Sequence, residues 1–247
     1  PCVTLELAEL HRWWKEGRYA PYSDAKLIDV LMKAKTGVPR YCRISRLIRD
    51  IPSTSIVAGN AVTNLRQVAQ EKMRARGLSC ACLRCREIGR AAQADPSLAG
   101  AKPVFFDDRY EASEGTEHFL SIEDEGRRAV FAFCRLRLPS RADVPDGKTP
   151  DGADTAVEEV RAALPAIRGA AFIRELHTYG MLVPVSGKNP DASQHKGLGR
   201  RLMAEAERLA KKAGYGTLAV ISGVGVREYY RKLGYRLRGT YMVKRLK

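Results

Sequence analysis

The last third of the chain switches between two hydrophobic periods. Leu202, Met203, Ala206, Leu209 and Ala210 fall on one face of a helix, Glu205, Glu207, Lys211 and Lys212 lie largely off it, and Gly214 can close its C-terminus. Before this helix, residues 171–185 read as a long strand in which Gly180 and Pro184 permit a bulge and an edge. After it, residues 217–222 read as a short apolar strand, 226–233 as a helix stopped by Gly234, and 235–246 as a final strand. The order is therefore strand, glycine loop, helix, strand, helix, strand.

Further upstream the same reading predicts strands at 104–106, 109–111, 117–124 and 129–138, the last two a hairpin turning at Glu125-Gly126, and a helix over 155–167. Residues 4–16 form a helix with Leu7, Leu10 and Trp14 on one face, 24–35 a second, and 64–76 a basic helix ended by Gly77; 41–47 and 55–58 read as strands. Alternating helices and strands suit part of a parallel α/β layer, yet two strands cannot close a barrel. Residues 91–102, rich in Ala, Gly and Pro, read as a linker, and 144–152 as an excursion of turn residues. The expected organisation is 1–78 for a first part, 79–102 for a cysteine site with its linker, and 103–247 for a second domain.

Charge changes this picture more than length does. The 247 residues carry a formal charge of +15, and residues 31–90 hold thirteen Lys or Arg against three acidic residues, an excess of +10. A charge run is ordinarily a solvated face, but this density, with Tyr41 and arginines spaced by apolar residues, predicts a polyphosphate partner, nucleic acid first. No apolar run approaches the roughly 20 residues of a membrane-spanning helix. No charged and apolar leader opens the chain, so the expected setting is cytoplasmic, with no membrane partner. Pro1-Cys2-Val3 lacks an initiator Met and reads as the start of a fragment or processed chain.

Two constellations carry chemistry. Gln194-His195-Lys196-Gly197-Leu198-Gly199-Arg200 opens the amphipathic helix directly after the long strand and reads as a pyrophosphate cradle. Its glycines let the backbone approach an anion, the free N–H groups of the helix start point at it, and Arg200 and Arg201 add charge. Most glycine pairs merely turn a chain, so the flanking strand and helix carry the reading. Cys80, Cys82 and Cys85 lie within six residues, close enough for a tight turn to bring three thiolates to one tetrahedral ion, structural zinc being expected. The alternative is three neighbouring semi-buried thiols. Arg84, Arg86 and Arg90 are expected to favour thiolates there, and the fourth ligand stays open among His11, His118, His177, His195, a carboxylate or water. Cys2, Cys42 and Cys134 read as packing residues.

Taken together, the segments 41–53, Asn64-Leu65-Arg66-Gln67, the cysteine run to Gly89, Ile173-Arg174-Glu175-Leu176-His177, the glycine loop, and 220–235 with its Tyr229-Tyr230 pair resemble the catalytic subunit of Elongator in a bacterial or archaeal form. The resemblance runs from about residue 4 to the C-terminus. It implies an α/β chain: a GCN5-related N-acetyltransferase fold, a mixed twisted sheet with flanking helices, preceded by the C-terminal end of a radical S-adenosylmethionine barrel and a small cysteine metal site. The family's iron–sulfur cysteines are absent from this sequence, and 144–152 departs from the family as an insertion.

The resemblance implies a tRNA-modifying acyltransferase that builds 5-carboxymethyluridine at the wobble position from acetyl-CoA. S-adenosylmethionine and a 4Fe-4S cluster serve the radical step in the full-length family. Carried over by position, Glu175, Leu176, His177 and Thr178 line the acetyl-CoA strand, and Gln194, Lys196, Gly197, Leu198, Gly199 and Arg200 form the pyrophosphate loop. Tyr229 and Tyr230 match the family's functional tyrosines, with Tyr230 placed near the thioester, although one of the pair need only be core. The expected partner is the anticodon stem-loop of tRNA, met by Arg43, Arg46, Arg49 and Arg66, with homo-oligomerisation left open. Two other readings remain: an amine or lysine N-acetyltransferase, and a non-enzymatic tRNA-binding module.

Overall fold

The computed structural model describes residues 3–48, 51–140, 164–165, 167–180 and 197–246. The chain divides into two compact units, Pro1–Arg86 and Glu87–Lys247.

The described part of the first unit is helical: α1 (Glu9–Lys15), α2 (Asp24–Gly37), α3 (Leu65–Ala75) and the single turn α4 (Leu83–Arg86). Ser23 starts α2 by accepting the N–H of Lys26 at 3.3 Å, with Asp24 favourably placed in the first turn. Leu27, Ile28 and Met32 of α2 pack on Leu65 and Met73 of α3, and Cys80 joins that cluster. The first helix is shorter than expected; His11 is its buried residue, while Leu7 precedes it fully exposed. Neither strand expected here forms. Residues 41–47 are irregular because their polar groups find other partners: the carbonyls of Ile44 and Ser45 accept from the Arg66 guanidinium at 2.7 and 3.2 Å, and that of Cys42 accepts from Leu83. Residues 53–55 make a 3₁₀ turn, and among the described residues the pairing nearby is an isolated bridge between Thr4 and Ala58.

In the second unit the expected linker is ordered. Its alanines build α5 (Ile88–Ala94), and Asp95 caps a 3₁₀ turn at Pro96–Gly100 by accepting the N–H of Ser97 at 3.1 Å. A seven-stranded mixed sheet follows, made of β1 (Val104–Glu111), β2 (Gly115–Glu123), β3 (Val130–Pro139), β4 (Ala171–Thr178), β5 (Thr217–Ile221), β6 (Arg236–Arg238) and β7 (Tyr241–Arg245). Their spatial order is β1-β2-β3-β4-β5-β7-β6. Two expected strand pieces merge into β1, and the expected final strand splits into β6 and β7, where Gly239 at φ +56° turns the chain. The β2–β3 hairpin turns over Asp124, whose carboxylate accepts the N–H groups of Arg128 and Ala129.

Helix α6 (Leu198–Lys212) makes the crossover from β4 to β5. It buries Leu198, Leu202, Met203, Ala206 and Ala210 against the sheet, with Leu209 half-buried beside them. A 3₁₀ turn at Val224–Val226 leads into α7 (Arg227–Lys232). The excursion at 144–152, nearly all of the helix expected over 155–167, and the strand expected beyond residue 180 lie outside the described residues.

Candidate cofactor and metal sites

Strands β4 and β5 run parallel for only three residue pairs, from Ala171 with Leu218 to Ile173 with Val220. β3 meanwhile stays paired with β4 as far as Thr178. From Arg174 to Thr178 the edge of β4 that faces β5 therefore carries no ladder among the described residues. Such an opening leaves backbone donors and acceptors for an extended amide ligand.

Helix α6 starts beside this opening. Its N-cap Gly197 sits at φ +91°, a conformation that side chains rarely adopt, and the first-turn N–H groups have no helical acceptor. Gly199 is needed for a different reason. A Cβ there would lie 3.0 Å from the hydroxyl of Tyr229 and 3.5 Å from Oγ1 of Thr178, so the end of β4, the first turn of α6 and α7 converge on this glycine. Burial holds the Tyr229 phenol above its ordinary pKa against the opposing effect of Arg200. At neutral pH it remains a hydrogen-bond donor.

Tyr230 occupies a different environment. It is 5% exposed, packs edge-on between Tyr229 and Tyr235 at 5.2 and 6.0 Å, and burial pushes its pKa up to about 12. Tyr235 in turn donates to Glu207 at 2.9 Å, which also receives Lys244 at 2.7 Å. The structure thus seats Tyr230 in the core and brings Tyr229, the other member of the pair, to the glycine.

The remaining residues expected at this site are placed as follows. Glu175 pairs with Arg135 at 3.0 Å, and Arg135 lies over the Phe119 and Phe133 rings. His177 stacks on Phe133 and Tyr179 at 5.9 and 4.5 Å, and Leu176 is half-buried opposite the fully buried Cys134. Leu198 is a core residue, Arg200 is exposed, and Gln194 and Lys196 lie outside the described residues.

The sulfur atoms of Cys80, Cys82 and Cys85 all lie within 4.8 Å of one another. A tetrahedral ion with bonds of about 2.3 Å to sulfur needs sulfurs roughly 3.8 Å apart, so three soft donors are already near the required spacing. Hydrogen bonds from Cys80 and Cys85 draw the Cys82 thiol well below its ordinary pKa, assisted by backbone N–H groups, and Cys80 is correspondingly raised. The arginines contribute differently from expectation. Arg86 donates to the carbonyls of Ala81 and Arg40 at 2.8 and 2.9 Å and so staples the turn, while Arg90 pairs with Glu87.

Lys35 also stands beside the thiols, wholly buried at the end of α2 with Nζ 3.5 Å from Cys85 Sγ; Gln70 of α3 donates to the same sulfur at 3.3 Å. Lys35 was not legible as part of this site, because a lysine in the last turn of a helix has a sufficient local explanation. No fourth His, Cys, Asp or Glu joins the three among the described residues. His11 stacks on Trp14, His118 pairs with Asp107 at 2.9 Å, and His195 lies outside the described residues.

Of the arginines expected to meet RNA, Arg46 is exposed and Arg43 half-exposed, whereas Arg66 is committed to the carbonyls of residues 44 and 45. Arg49 lies outside the described residues.

Residues 1–75 match the radical SAM C-terminal domain, and residues 190–245 match the acetyltransferase (GNAT) domain. Together with the splayed sheet, these matches define the class: a radical SAM C-terminal segment followed by a GNAT unit. The chain is 38% identical over 252 residues to "tRNA uridine(34) acetyltransferase" of Methanocaldococcus jannaschii, covering all of this chain and 42% of that protein. It is 38% identical over 248 residues to "Elongator complex protein 3" of Homo sapiens, again covering all of this chain and 42% of the relative. The solved archaeal Elp3 of Methanocaldococcus infernus, with residues 1–46 deleted, matches with a TM-score of 0.79 at 37% identity, over all of this chain and 54% of that one. The chain thus aligns over its whole length with Elongator complex protein 3 relatives, and it spans half or less of the length of these curated proteins.

Proposed function

We propose that this chain is the acetyl-CoA-binding and tRNA-binding portion of an enzyme that modifies uridine at the wobble position of tRNA, with 5-carboxymethyluridine as product. The observation that carries this reading is the opening between β4 and β5, with Gly197, Gly199 and the N-terminus of α6 beside it. A diphosphate fits the first-turn N–H groups and Arg200, and the pantetheine amides fit the unpaired edge of β4. In this scheme the transferred atom is the acetyl methyl carbon, joined to the base by radical chemistry. Water then cleaves the thioester to a carboxylate, and the coenzyme leaves as its thiol. Tyr229, whose hydroxyl lies beside Gly199, serves in this scheme to donate to the thioester carbonyl or protonate the departing sulfur.

The pairing of Glu175 with Arg135 argues against the amine acetyltransferase reading, because it ties up the one carboxylate of β4. Cys80, Cys82 and Cys85 hold a structural zinc ion that fixes the turn after α3. The test is acetyl-CoA cleavage by the full chain, followed as free thiol with and without an unmodified tRNA transcript. Acetyl-CoA binding together with cleavage that responds to tRNA supports the reading. Acetyl transfer to a peptide lysine without RNA would replace it with the amine acetyltransferase.

A further inference from the structure

We infer that the GNAT unit carries a second anion site, a cleft between α6 and the β6–β7 hairpin that grips the phosphodiester backbone of RNA. The cleft has a volume of about 960 Å³ and is lined by six cations: Arg208, Lys211, Arg236, Arg238, Lys244 and Arg245. Among the described residues its single acidic residue, Glu207, is already paired with Lys244 and accepts from the hydroxyl of Tyr235. Arg208 is shared with Glu205, but Lys211, Arg236, Arg238 and Arg245 are exposed and have no ion-pair partner among the described residues. Such a concentration of like charge destabilises the isolated unit through self-repulsion, and a polyanion relieves it.

The lining begins at Ala204, beyond the first turn of α6, so the cleft is separate from the proposed diphosphate cradle at Gly197. Among the described residues its lining has no aromatic side chain, and hence no platform on which a base could stack. This favours backbone contact, which positions an RNA without reading its sequence, over a pocket for a free nucleotide. The inference rests on the tRNA reading above and adds where the phosphates are held.

The test is anisotropy of a labelled, unmodified tRNA transcript titrated with the full chain between about 50 and 200 mM salt. The double variant Lys211→Gln/Arg236→Gln removes one exposed charge from each wall. It is expected to lower the slope of log affinity against log salt by roughly 1.4 to 1.8 units, with acetyl-CoA affinity unchanged in calorimetry. If the wild type binds tRNA and the variant keeps both affinity and slope, the cleft is overturned while the tRNA reading stands. If the wild type itself binds no tRNA, that reading fails and the cleft with it. Inorganic tripolyphosphate binding the wild type as tightly as tRNA does, with loss of both in the variant, would reassign the cleft to a small polyphosphate.

Discussion

Two adjacent tyrosines sit in different surroundings, and the difference lies in what each hydroxyl can reach. Tyr229 stands 3.0 Å from where a Cβ on Gly199 would be, whereas Tyr230 is packed between Tyr229 and Tyr235. Tyr229→Phe is therefore expected to leave acetyl-CoA affinity within a few-fold and to slow thioester cleavage by about a hundredfold or more, the usual scale of a positioned acid. Tyr230→Phe is expected to leave cleavage within a few-fold. Thiol release and calorimetry on both variants check this, and the reverse ranking would return Tyr229 to a packing role. At the cysteine turn the informative residue is Lys35, whose buried ammonium has Cys85 as its partner. Lys35→Met keeps the chain length and removes the charge. Zinc retention against a competing chelator is expected to weaken about 10- to 100-fold, the cost of losing a neighbour that orients or compensates a ligand. Unchanged retention would show that the ammonium does not compensate the thiolates.

At the scale of elements, periodicity exposed those whose burial is one-sided and missed those decided by distant partners. The face of α6 was legible because its buried positions recur at helical spacing, and the crossover it makes followed from the strands on either side. The segment 41–47 alternates like a strand, but Arg66, more than twenty residues away, takes two of its carbonyls. The same contact gives Arg66 a structural role as a clamp on this segment. Arg66→Ala strands the half-buried carbonyl of Ile44, while that of Ser45 returns to water, and is expected to destabilise the first unit by about 1 kcal/mol, read from denaturant unfolding. A loss of tRNA affinity with undiminished stability would assign the residue to RNA instead. Similarly, the start of α6 at the glycine loop was legible from the helical period that follows it, yet nothing in the local sequence tells that Tyr229 approaches Gly199.

For the molecule as a whole, the two units carry different chemistry: a cysteine site in Pro1–Arg86 and a splayed sheet in Glu87–Lys247. No helix among the described residues is long and apolar enough to cross a membrane. The second unit also has a characteristic response to alkali. Tyr230 titrates at about 12 in the folded chain because of burial, and Tyr235 is raised in the same direction. An unfolded tyrosine titrates near 10. Between these values the unfolded chain has lost a proton that the folded chain keeps, so stability falls as pH rises. The contribution is complete below about pH 10 and declines by about 1.4 kcal/mol per pH unit for each such phenol above it. Denaturant midpoints of the wild type between pH 9 and 11.5 should fall more steeply than those of Tyr230→Phe. Parallel curves would contradict the burial assigned to that hydroxyl.

The proposed chemistry requires acetyl-CoA to lie in the opening between β4 and β5 with its diphosphate on the first turn of α6. Calorimetric titration of acetyl-CoA into the wild type and Gly199→Glu tests it most directly, because the new side chain places bulk and negative charge against Tyr229 and Thr178 at the helix start. Since the variant must also remain folded, circular dichroism and the denaturant midpoint accompany the titration. The variant is expected to fold and to lose at least about a hundredfold in acetyl-CoA affinity, or about 2.7 kcal/mol. A folded variant that binds acetyl-CoA as the wild type does would place the cofactor elsewhere.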